Sequence, residues 1–122
     1  RKLFYVKPFM STNKWGSPSI HYYGMDQTTR KWSSVDIYGG KFVENVVQAI
    51  ARDCLAESLL RLDKAGYKII MHVHDEVVIE IPEENAEQEL KNICDIMGAP
   101  IQWAPGLLLK ADGYICDYYQ KD

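Results

Sequence analysis

Residues 68–82, KIIMHVHDEVVIEIP, constrain this chain more than any other stretch. Two apolar, β-type runs, residues 69–73 and 77–81, flank the polar trio His74-Asp75-Glu76. The pattern predicts a tight antiparallel hairpin with the trio at its bend. The bend lacks the Asn-Gly or Asp-Gly pair that makes such turns easy. Asp and Glu are also poor strand residues, and adjacent acids repel. A divalent cation beside them relieves that cost, because hard cations prefer carboxylate oxygens. Without a cation, Asp75 and Glu76 read as solvated turn residues.

Upstream, Gly39-Gly40 breaks the chain before a long helical pattern over residues 41–65. Phe42, Val46, Ile50, Cys54 and Leu62 follow near-helical spacing, with Val43, Val47, Leu55 and Leu59 beside them. Gly66 stands in the favoured position just past a helix end. Lys41, Asn45, Gln48 and Arg52 step along another face at three to four residues. A second amphipathic helix is predicted over residues 83–97, with Glu83, Glu84 and Glu87 at its positive end. Ala86, Leu90, Ile93, Cys94 and Met97 supply its apolar stripe.

Residues 1–38 read as a β-rich ribbon with strands near 2–8, 19–24 and 28–38. Aromatics are dense there and interleave with Lys2, Lys7, Lys14, Arg30 and Lys31. Such a mixture makes either a single-strand stacking platform or a ribbon held by cross-strand aromatic pairs, and the second is the simpler reading. After the second helix, LLLKADGYICDYY predicts two short strands around Asp112-Gly113. The expected fold class is therefore α+β: an antiparallel sheet of the hairpin plus C-terminal strands packs on two helices, preceded by the ribbon. The division is 1–38 and 39–122.

The chain has 122 residues, 47% hydrophobic and 25% charged, as expected for one soluble domain. No apolar run reaches the ~20 residues that span a bilayer. Cys54, Cys94 and Cys116 are odd in number and widely spaced, which suits a reduced, cytoplasmic setting. The chain begins at Arg1 rather than Met, the pattern expected of a piece cut from something longer. The net charge of −3 argues against a self-sufficient DNA-binding domain.

The stretch YGGKFVENVVQAIARDCLAESLLRLDKAGYKIIMHVHDEVVIEIP resembles the C-terminal palm portion of family A DNA polymerases, in their phage-type branch. The resemblance covers nearly all of this chain but only part of such an enzyme. It implies a DNA-directed DNA polymerase using Mg²⁺, a DNA primer-template and deoxynucleoside triphosphates. Asp75 would be the metal-binding catalytic carboxylate, with Glu76 tuning the field or reaching a metal through water. His74 would position the primer terminus. Gln48 would read minor-groove acceptors, which are largely common to all base pairs. Lys41, Asn45 and Arg52 would be further nucleic-acid contacts, with Asn45 one residue out of the family's Arg-Asn-Gln spacing. The upstream Asp strand and the fingers helix of the family have no counterpart here. The isolated chain is therefore expected to be inactive. A net-acidic catalytic edge is compatible with the resemblance if other domains grip the duplex.

Two alternatives follow from the residues. His72 and His74, at i and i+2 beside two acids, suggest a Zn²⁺ site. A polymerase-derived remnant that binds DNA without catalysis, or self-associates through a severed sheet, is the other.

Overall fold

A computed structural model describes residues 2–120. In chain order it has strands β1 (Val6–Thr12), β2 (Pro18–Met25) and β3 (Trp32–Ile37), then helix α1 (Gly39–Lys64). Strands β4 (Lys68–Val73) and β5 (Glu76–Glu80) follow, then a 3-10 turn (Glu83–Asn85) and helix α2 (Ala86–Gly98). The class is α+β, with antiparallel sheets, as the sequence predicts. Two compact units divide at residues 49 and 50, with α1 running through the division. No described helix is long and apolar enough to cross a membrane.

The first unit is built on the meander β1-β2-β3. Its first strand lies four residues later than expected, and Pro8 sits inside it. An edge strand tolerates Pro because its outward N–H has no ladder partner to lose. The register slips between Val6 and Phe9, and Lys7 takes φ 47° there. That bulge absorbs the proline. Asn13 shapes the β1–β2 turn: its Oδ1 accepts from the amides of Trp15 and Ser17, both at 3.0 Å. Asp26 does the same for β2–β3. Its Oδ1 accepts from the Thr28 and Thr29 amides at 3.0 and 2.7 Å, and from the Thr29 hydroxyl at 3.0 Å. The Thr29 amide is the largest cause holding the Asp26 carboxyl below its ordinary pKa.

Alternation puts Ile20, Tyr22, Val35 and Ile37 on one face of this sheet. Ile37 is buried, and Tyr5 packs edge-on against both Tyr22 and Phe42 of α1. Phe9, His21 and Tyr23 lie on the other face, where Phe9 stacks on His21 with centroids 5.5 Å apart. A cross-strand aromatic pair, Phe9 with Tyr23, is thus present on that second face.

The second unit holds the hairpin, α2 and the rest of α1. Its core contains Cys54, Leu55 and Leu62 of α1, with Ile93 and Ile101. Leu62 is fully buried, a contribution of about 2 kcal/mol from transfer alone. The helix ends as its sequence predicts. Gly66 adopts φ 88°, its amide donates to Asp63 O at 2.9 Å, and the Tyr67 amide donates to Leu62 O at 3.1 Å. That is the two-bond Schellman closure, which favours Gly. Arg61 then ties the loop after α2 back to α1, donating to Ala99 O at 3.0 Å and Pro100 O at 2.9 Å.

Three further features differ from the sequence reading. Val43, Val46, Val47 and Ile50 are exposed, although their spacing reads as a core stripe. Spacing reports a face, not what covers it. Gly98 belongs to α2, and the helix stops at Ala99, where φ −64° and ψ 144° reflect the steric demand of Pro100. The expected C-terminal strands are not formed among the described residues. The segment lies along α2 instead. A Cβ at Gly98 would stand 3.4 Å from Leu109 O, and one at Gly113 would stand 2.9 Å from Leu90 Cδ1. Asp112 turns its side chain onto the Gly113 amide at 3.0 Å, so the Asp-Gly pair makes no hairpin.

Candidate functional site

The hairpin is tighter than the sequence suggests. Val73 pairs with Glu76, which leaves a two-residue loop of His74 and Asp75. Glu76 is the first residue of β5 rather than part of the bend. His74 takes φ 52°, the left-handed region. The first loop position of a two-residue hairpin turn demands such a value, and Gly or Asn meets it most cheaply. A histidine there carries strain of about 1–2 kcal/mol.

Both loop side chains are exposed. Asp75 has no hydrogen-bond or ion-pair partner among the described residues, so its carboxylate stands in water at the end of a rigid ladder. Glu76 is engaged. It accepts from the Tyr119 hydroxyl at 2.6 Å, and that bond is the main cause raising the Tyr119 pKa. Tyr119 could not be foreseen as its partner, since nothing local links two residues 43 apart.

Arg52 Nη1 lies 3.5 Å from His72 Nδ1. His72 is in β4 but His74 is in the loop, so strand alternation does not hold the two rings on one face. Among the described residues no three His, Cys, Asp or Glu side chains lie close enough to hold a metal ion. The Zn²⁺ alternative therefore lacks its donor set. For Mg²⁺ the donor type is right, an oxygen on an exposed carboxylate, but Asp75 alone does not make a complete site.

On α1, Glu44 organises the predicted nucleic-acid face. Lys41 Nζ lies 2.8 Å from both Glu44 oxygens, and Gln48 Nε2 donates to Glu44 Oε1 at 3.4 Å. The Glu44 hydrogen bond is the main cause raising the Lys41 pKa. Asn45 Nδ2 donates to the Tyr5 hydroxyl at 3.0 Å. Lys41, Asn45 and Gln48 are thus each held by a neighbour. The i,i+3 and i,i+4 spacings of Glu44 to Lys41 and Gln48 were a readable signal for this; Tyr5 gave none.

This geometry defines an α+β chain that presents one free carboxylate at a strained hairpin end. No protein-family model matches it, and no solved structure does. The chain is similar over its whole length to a protein named DNA polymerase from Bacillus phage SP02. The two are 50% identical over 123 aligned residues. The chain spans 18% of that relative's length.

Proposed function

We propose that this chain is palm-domain sequence of a family A DNA polymerase, with Asp75 as one of the catalytic metal-binding carboxylates. The observation that carries the reading is the unpartnered Asp75 at the hairpin end, in a chain half identical to part of a phage polymerase. The β4–β5 ladder fixes where Asp75 can reach. The second carboxylate of a two-metal site belongs to polymerase sequence outside these residues. Asp75 would help hold Mg²⁺, which would neutralise the charge that develops in nucleotidyl transfer. His74, beside Asp75, would orient the primer terminus. Gln48 would contact the primer-template duplex once Glu44 releases it, with Lys41, Asn45 and Arg52 as lesser contacts. Deoxynucleoside triphosphates would bind chiefly to fingers sequence absent from the 122 residues.

The test is a graft. The chain replaces its counterpart in the SP02 polymerase, and Mg²⁺-dependent primer extension is measured with and without Asp75→Ala. The graft is expected to extend primers, and Asp75→Ala to lower kcat roughly a thousandfold, or about 4 kcal/mol. An active graft that keeps more than a tenth of its rate after Asp75→Ala would refute the role. The isolated chain is expected to extend nothing.

A further inference from the structure

The outward face of the β1-β2-β3 sheet has the wrong composition for a solvated surface. An antiparallel meander with one covered face normally carries polar residues on the other. Here the covered face holds Tyr22 and Ile37, whereas the register places Phe9, Tyr23, Met25 and Trp32 together on the open side. Tyr23 lies diagonal to Phe9, with ring centroids 5.8 Å apart, and Met25 is paired directly with Trp32. Met25 and Trp32 are 59% and 61% exposed. Trp32 has no aromatic partner among the described residues.

Charge decides what such a face suits. Residues 1–49 contain seven Lys and Arg against three Asp and Glu, whereas residues 50–122 contain seven against fourteen. The net value of −3 therefore conceals a basic first unit and an acidic second. Basic groups flank two of these rings along the chain: Arg30 and Lys31 immediately precede Trp32, and Lys7 occupies the bulge beside Phe9. The acid on this face, Asp36, lies at the far end and is bonded to the Ser19 hydroxyl. Every base offers a π-face to a ring, and phosphates seek the cations alongside.

We propose that this face binds single-stranded nucleic acid, with Trp32, Tyr23 and Phe9 stacking bases and Arg30, Lys31 and Lys7 holding phosphates. The proposal is independent of Asp75 and of polymerase activity. Duplex is excluded as the main ligand because its bases are already stacked and present no free faces to the sheet.

Fluorescence anisotropy of the purified chain with labelled oligo-dT and with duplex of equal length tests this. Expected are at least tenfold tighter binding to oligo-dT at low salt, and weakening by about ten- to a hundredfold with Trp32→Ala. Lys31→Gln should make the salt slope shallower by about 0.7. Trp15 lies in the opposite loop, beneath the Lys14 ammonium at 4.4 Å, so Trp15→Ala should change nothing. Circular dichroism should confirm that both variants fold. No binding, equal binding to duplex, or equal losses at Trp15 and Trp32 would each overturn the proposal. An Asp75→Ala chain should bind like the parent, which separates this outcome from that of the polymerase reading.

Discussion

His74→Gly should stabilise this chain while impairing it in a polymerase. The left-handed φ of 52° at His74 costs an L-residue about 1–2 kcal/mol. Glycine removes that cost but loses about 0.5–1 kcal/mol through its freer unfolded chain. The His74 ring does not offset the gain, since the side chain is exposed and has no hydrogen-bond partner among the described residues. The net expectation is about 0.5–1 kcal/mol of added stability, a rise in Tm of about 2–4 °C for a chain of this size. Urea unfolding should give a higher midpoint with an unchanged slope. His74→Val provides the opposite arm, because a β-branched side chain tolerates positive φ least and should lower the midpoint. In the polymerase graft, His74→Gly should reduce extension despite the stabler hairpin, as expected where strain is kept for function. A stability order other than Gly, then His, then Val would mean that the loop does not hold the left-handed turn.

Three further outcomes follow from the same structure. Gly66→Ala should cost about 1 kcal/mol in thermal or urea unfolding, because φ 88° at the Schellman position strains any Cβ. The Asp26 carboxyl has a depressed folded pKa, so its stabilising bonds are present above about pH 4 and are lost as pH falls through the folded value; near-ultraviolet circular dichroism should find Asp26→Ala less stable than the parent at pH 6, with the difference shrinking as the pH is lowered below about 4. Tyr119→Phe frees Glu76, and in the polymerase graft it should alter the Mg²⁺ dependence of extension while leaving the midpoint of unfolding essentially unchanged; an unchanged Mg²⁺ profile would make the bond structural.

Legibility followed the range of the forces involved. Helix α1 was readable because Gly66 carries its own conformational reason for stopping a helix. The hairpin was readable because two β-branched runs admit few alternatives. Its loop was not, since nothing in His74-Asp75 announces that His74 accepts a positive φ in place of Gly. The C-terminal strands failed for a similar reason. Asp112-Gly113 favours a turn locally, but residues 109–113 lie against Leu90, Cys94 and Gly98 of α2 instead of pairing with themselves. Pro8 looked like a strand end because a one-dimensional reading cannot tell that β1 is an edge.

The candidate site obeyed the same division. Residue type singled out Asp75 as a candidate, since an acid at the end of an apolar ladder is costly without a purpose. Which groups are already occupied depended on contacts beyond local sequence: Tyr119 on Glu76, Tyr5 on Asn45, Arg52 near His72. Glu44 has a functional consequence that no single contact conveys. By holding Lys41 at 2.8 Å and Gln48 at 3.4 Å, it sets an electrostatic competitor against any phosphate approaching that helix face. A phosphate must displace a carboxylate to reach Lys41, whereas Arg30 and Lys31 have no ion-pair partner among the described residues. If this chain touches nucleic acid in more than one place, the sheet face should engage first and the helix face second. Glu44→Gln should then strengthen binding at the helix and leave the Trp32-dependent part untouched.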